Sequence, residues 1–244
     1  MLSLSLLVRL AVLGCLVAPS WSFSTGFHPQ SSLGRLQERQ RQVQSRLFLS
    51  QPLSSLTFLM TDIDQAVTDT TSDETTILAR IQALEQAPDA PLVDLSVVNQ
   101  FGYYEVLWTN APPPSNGQLG PFKGSAAQAI GTEGLYQNVL RVGDNNWLGA
   151  TLDGRWEEWD GVLLDGSGTT STPTTACWKV TFMTLKIQAL DGKLTLFEKQ
   201  FPSNNSASRI WRTTYLDENI RVVRAGKTGR PEDEVVFYTK RRSR

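Results

Sequence analysis

The pattern of apolar and polar positions changes character near Pro91. Before it, Thr71-Ser-Asp-Glu74 has the spacing of a helix capping box. Ile77, Leu78, Ile81 and Leu84 follow on one helical face, and Pro88 and Pro91 end it. Further upstream, the apolar cluster Leu53, Leu56, Phe58, Leu59 and Met60 is open to two readings, an earlier helix or the end of a processed leader. After Pro91 the chain runs in aromatic and β-branched segments punctuated by Gly, Asn and Asp. These predict strands over 101–109, 134–141, 147–152, 155–164, 176–190, 193–201, 210–216, 220–224 and 234–240. Asp153-Gly154 and Asp191-Gly192 read as two-residue hairpin turns, and the Gly/Ser/Thr tract from Gly166 to Thr175 reads as a long mobile loop.

Several strands are apolar on more than one face. Trp178, Val180 and Phe182 share one side, while Val235 and Phe237 oppose Val236 and Tyr238. A sheet of this kind must cover both faces. The expected fold is therefore mainly β, a lipocalin-like antiparallel barrel of about eight to nine strands with a preceding amphipathic α-helix. A β-sandwich is the alternative.

The N-terminal fifty residues read as two addresses in series. Leu2 to Val17 is apolar but short for a membrane span, and Ser20 and Ser22 flank Trp21 as a signal-peptide cleavage site requires. Residues 23–50 carry Arg35, Arg39, Arg41 and Arg46 against Glu38, in a Ser/Gln-rich setting. That is the composition of an organelle transit peptide. A signal peptide followed by Phe23 and such a stretch resembles the bipartite plastid leader of algae with secondary plastids. The expected divisions are 1–22 signal peptide, 23–50 disordered transit-like segment, 51–90 helical segment and 91–241 barrel domain. The alternative is a secreted protein with a basic N-terminus.

Charge and rare residues narrow the chemistry. Lys and Arg total 23 against 24 Asp and Glu, so no broad basic surface is implied and nucleic acid is not an expected partner. The only histidine, His28, and one of the two cysteines, Cys15, fall in the segments expected to be cleaved. The barrel is left with Cys177 and no imidazole, which disfavours Ser-His-Asp chemistry and His-ligated zinc. No Gly-rich phosphate loop is present. Glu157, Glu158 and Asp160 cluster, but neighbours on a strand point to opposite faces and cannot enter one site together. Trp108, Trp147, Trp156, Trp159, Trp178 and Trp211 supply large amphipathic surface, which serves either as ordinary core or as a cavity wall.

Two segments carry a family resemblance. Thr213-Thr-Tyr-Leu-Asp-Glu-Asn-Ile-Arg-Val-Val-Arg-Ala-Gly226, followed by Val235-Val-Phe-Tyr238, resembles the C-terminal signature of the plastid lipid-associated proteins, or plastid fibrillins. Its matching positions include Thr214, Tyr215, Leu216, Asp217, Glu218, Arg221 and Arg224. Asn99-Gln-Phe-Gly-Tyr-Tyr-Glu-Val-Leu-Trp-Thr109 is similar to the family's opening strand through Gly102 and Trp108-Thr109, with Tyr104 where tryptophan is usual. The resemblance implies a lipocalin-like barrel in a plastid, peripheral to thylakoids or lipid droplets. It further implies binding of hydrophobic small molecules such as prenylquinones, carotenoids or fatty acids; it does not imply catalysis, and no cofactor or metal is expected. A protein partner is left open. In lipocalin-like barrels the first-strand aromatic packs on a late arginine, so Tyr104 is expected beneath Arg221 or Arg224. Asp217 is expected to pair with Arg212, Arg221 or Arg224, and Trp108, Tyr136, Trp178, Phe182 and Tyr215 are the expected pocket lining.

Three functions compete on these grounds: a lipid carrier, a coat protein of lipid droplets that holds no ligand, and a barrel enzyme using carboxyl or tyrosyl proton transfer.

Overall fold

The computed structural model describes residues 56–95, 100–143, 145–202, 204–228 and 230–242. The segments expected as signal and transit peptides, with their histidine and Cys15, lie outside them, as does Asn99 of the opening motif.

Two helices come first. The upstream apolar cluster is a helix, α1 (Leu56–Thr68), and α2 spans Glu74–Glu85. The cap of α2 differs from expectation. Asp73, not Thr71, accepts the free N–H of Thr76 at 2.7 Å, while the Thr71 N–H and hydroxyl bond to Asp69. A carboxylate two residues nearer the helix serves the same orphan donor and adds a favourable charge at the positive end of the dipole. Ile63 and Ala66 of α1 and Ile77, Ile81 and Leu84 of α2 are buried, as their spacing requires.

Eleven strands follow: β1 (Gly102–Thr109), β2 (Gln118–Leu119), β3 (Phe122–Lys123), β4 (Ser125–Ile130), β5 (Leu135–Val142), β6 (Leu148–Glu158), β7 (Cys177–Ala189), β8 (Leu194–Gln200), β9 (Ser208–Leu216), β10 (Ile220–Gly226) and β11 (Val235–Arg242). Eight of them close an antiparallel barrel in the order β6-β5-β4-β1-β11-β10-β9-β7, with β6 and β7 pairing to complete the ring. Among the described strands β8 is an extra one, hydrogen-bonded to β7 alone.

Both apolar faces of the final strand are used as the pattern demanded. Val235 and Phe237 join the interior cluster, while Val236 and Tyr238 pack outward beneath α1 and α2. Trp178, Val180 and Phe182 likewise share the interior.

Two turn and strand expectations are corrected. Asp153-Gly154 is not a hairpin: β6 runs straight through it as one strand of 11 residues, with a register shift against β7 at that point. Gly154 is there for close approach, because a Cβ would stand 2.9 Å from the Thr181 carbonyl oxygen. Residues 159–164 are not a strand continuation; Trp159, Leu163 and partly buried Leu164 form a satellite cluster with Cys177 and Ile210. β4, Ser-Ala-Ala-Gln-Ala-Ile, was absent from the expected strands because alanine-rich sequence has little strand propensity. Asp191-Gly192 does lie in the β7–β8 turn, but the turn spans the four residues between Ala189 and Leu194 rather than two, with Leu190, Asp191 and Gly192 all at positive φ.

Candidate functional site: the barrel lumen and the fork beside it

The lumen is lined by alternate residues of the eight barrel strands, and aromatic rings fill one end. Trp156 stacks on Trp178 at 4.4 Å, Trp211 stacks on Phe237 at 5.1 Å, and Tyr136 packs against both Trp211 and Phe182. Leu140, Ala150 and Ile187 occupy the other end, covered by Leu119 and Phe122 of the β2–β3 hairpin. Beside Leu140 and Ala150 a cavity of about 20 Å³ is bordered also by Val106, Asn138, Leu152 and Leu185. That is room for about one water molecule.

A polar girdle crosses this apolar interior. Arg221 on β10 is completely buried, and its Nη1 donates to Gln128 Oε1 on β4 at 3.1 Å. Strands β1 and β11 stand between β10 and β4 in the ring, so this bond spans the lumen. Tyr104 lies beneath it, with Arg221 at 5.5 Å from the ring centroid and Arg241 at 5.3 Å. Arg241 also donates to the Tyr104 hydroxyl, which in turn donates to the Gln100 carbonyl. The expected arginine–Tyr104 contact is therefore made by Arg221. Gly102 holds φ +153°, a backbone state that favours glycine, as the chain enters β1.

Arg221 meets no carboxylate among the described residues. Its Nε and Nη2, together with Gln128 Nε2, Trp211 Nε1 and Thr213 Oγ1, are buried without hydrogen-bond partners. Apart from the Thr213 hydroxyl, which can also accept, these are donors only. Burial pulls the Arg221 guanidinium below its ordinary pKa, while nearby Tyr136 and Tyr104 work in the opposite sense. Burial pushes the Tyr136 hydroxyl up, opposed by the Arg221 charge; that hydroxyl donates to Asn138 Oδ1 at 2.7 Å.

The five residues expected to line a pocket divide between two places. Tyr136, Trp178 and Phe182 face the lumen. Trp108 and Tyr215 lie on the outer face under the helices. The physical reason is the same for both: register shifts at Val106/Trp108 and at Val222/Val223 insert a residue and invert the in–out alternation. Asp217 also departs from expectation. It makes no ion pair with Arg212, Arg221 or Arg224, but accepts from the Tyr215 hydroxyl and the N–H groups of Asn219 and Ile220, closing the β9–β10 turn. Glu218 is exposed in the same turn. Arg212 pairs with Glu234, and Arg224 with Glu85, which also accepts from Thr214. Leu216 is buried in the interior cluster.

A second space lies beside the lumen. β7 pairs with β9 only through Cys177–Thr181 and with β8 only from Thr184 onward, so the sheet forks near Phe182. At the fork a cleft of about 170 Å³ is lined by Leu152, Phe182, Phe201, Ser206, Ala207 and Arg209. Gln128 and Arg209 were missed in sequence. A lone glutamine within an alanine-rich run was the available signal for the first; nothing distinguished the second from a surface arginine. Among the described residues no group of three or more His, Cys, Asp or Glu is placed to hold a metal ion. Compared with family models, with curated proteins and with solved structures, the chain finds no match.

Proposed function

We propose that the protein is a non-enzymatic binding module that carries a small hydrophobic molecule, of the prenylquinone, carotenoid or fatty-acid kind, at plastid membranes or lipid droplets. The observation that carries this reading is the lumen itself: aromatic walls surround a girdle of buried hydrogen-bond donors that lack acceptors. Native interiors satisfy buried polar groups, so unpaired donors buried on the inward side of β4, β9 and β10 favour an acceptor-bearing guest. Apolar walls with a few fixed polar groups are the usual make-up of a small-molecule site. The C-terminal motif and the N-terminal leader support the plastid and lipid parts of the reading. Among the described residues no paired acid and base border the lumen cavity or the fork cleft, which favours binding over turnover.

The coat reading is favoured by a different observation. The lumen cavity is only about 20 Å³, and Trp147, Leu190 and Leu194 expose apolar surface near the β7–β8 turn. Native mass spectrometry with organic extraction, on protein isolated from its own cells, separates the two. A stoichiometric hydrophobic ligand is expected. An empty protein that floats with lipid droplets would overturn the carrier reading in favour of the coat.

A further inference from the structure

We propose that Asn204, in the link between β8 and β9, is an N-glycosylation site whose side-chain amide takes one oligosaccharide from a lipid-diphosphate carrier. The inference goes beyond the binding of a hydrophobic guest. It rests on the leader part of the reading alone, since a signal peptide is what brings a chain into the secretory lumen, where that carrier and its transferase work.

Asn204-Asn205-Ser206 is the one place in the 244 residues where a serine or threonine stands two positions after an asparagine. That spacing is the acceptor sequence for N-glycosylation. Neither Asn205 nor Ala207 is proline, so no ring locks φ in the stretch that the transferase must bend to its own site. In the reaction Asn204 Nδ2 bonds to the anomeric carbon of the oligosaccharide. The bond from that carbon to the diphosphate oxygen breaks, the lipid diphosphate leaves with the electron pair, and the proton lost from Nδ2 passes to a base of the transferase. No oxidant or reductant is consumed.

A three-residue motif is short, and its placement decides whether a glycan fits the folded chain. Asn204, Asn205 and Ser206 are all exposed. They lie outside the strands, where Asn204 caps the 3-10 turn Asn205–Ala207 that leads into β9. A bulky hydrated group there displaces no core side chain. The turn also uses only one end of the Asn204 amide: Oδ1 accepts the Ser206 N–H at 3.0 Å and the Ser206 hydroxyl as well. A backbone N–H can only donate, so the atom facing it is the oxygen, and Nδ2 is left without a partner among the described residues. A sugar on Nδ2 therefore keeps both bonds of the turn. Asn110 shows the opposite arrangement. Its Nδ2 donates to Glu74 and its Oδ1 accepts from the Val236 N–H, so both ends of that amide hold α2 and β11 to the end of β1. The glycan also has a local use. Ser206 and Ala207 border the fork cleft with Leu152, Phe182 and Phe201, and a hydrated chain at its rim shields those apolar walls from other molecules.

The protein isolated from its own cells and treated with peptide-N-glycosidase is expected to lose the mass of one glycan. Peptide mass spectrometry should then read aspartate at position 204, because the enzyme removes the glycan together with the side-chain nitrogen. An asparagine still at 204 in that peptide overturns the site. Translation of the full chain with endoplasmic-reticulum microsomes separates the site from the leader reading. A protease-protected chain is expected to migrate one glycan heavier. Asn204→Gln, Ser206→Ala and Asn205→Pro should each lose that shift, and Ser206→Thr, which restores the hydroxyl, should keep it. The transfer takes place on the nascent chain, so these losses do not depend on whether a variant folds. A shift that survives Asn204→Gln, or a protected chain with no shift, overturns the site while the leader reading stands. A chain left outside the vesicles overturns the leader reading and the site with it.

Discussion

The two faces of β9, β10 and β11 have opposite electrostatic habits although they are built from alternate residues of the same strands. Outside, under the helices, polar groups find partners: Glu85 grips Arg224, Asp64 accepts from the Tyr238 hydroxyl, and Asp217 accepts from Tyr215. Inside, Arg221, Thr213 and Trp211 keep unpaired polar atoms. Arg221 and Arg224 are chemically identical and three residues apart, yet one is matched and the other is not. Helix α2 supplies Glu85 to the outer face, whereas no carboxylate reaches Arg221 among the described residues. A matched buried pair holds elements together; an unmatched buried charge is retained against stability.

The contrast can be broken first at its matched side. Arg224→Met leaves Glu85 unpaired beneath the helices and should lower unfolding stability by about 3 kcal/mol, read from the midpoint in urea. Alkaline titration then probes both faces at once. Burial pushes the hydroxyls of Tyr136, Tyr215 and Tyr238 above their ordinary value, and Asp217 and Asp64 add to the shift for the outer two. Their stabilising contribution is complete below the unfolded tyrosine pKa of about 10 and is lost as pH rises toward the folded values. The slope is on the order of 1.4 kcal/mol per pH unit for each tyrosine, and the urea midpoint measured from pH 9 upward should fall accordingly. Cys177 begins earlier, since burial raises its thiol to about 11; iodoacetamide should label it in denaturant long before it labels the native protein at pH 8.

The unmatched side should respond with the opposite sign. Arg221→Met removes a buried uncompensated charge and should raise stability of the ligand-free protein by about 1 kcal/mol, in the same urea assay. A loss comparable to that of Arg224→Met would erase the distinction between the faces. Smallest of all, Lys179→Met breaks the surface pair with Glu157, which is mostly exposed, and should change stability by less than about 0.5 kcal/mol.

Much of the barrel could be read before its structure, because strand periodicity is a local property. The double apolar face of Val235 to Tyr238 required cover on both sides, and the lumen and α1–α2 provide it. What misled was local chemistry with two meanings. Asp153-Gly154 satisfies the rule for a tight turn but serves a close strand crossing. Trp108 and Tyr215 follow the alternation up to a bulge, and a bulge leaves no clear mark in the sequence.

Composition and spacing by themselves fixed the class of fold, the helix that precedes it and the scarcity of histidine and cysteine chemistry, since these depend on residues near one another along the chain. Tertiary structure alone decided which of two arginines on β10 has a partner. Glu85 is 139 residues from Arg224 and Gln128 is 93 from Arg221. Charge compensation across such separations depends on strand register and on the closure of the ring, which no local pattern encodes.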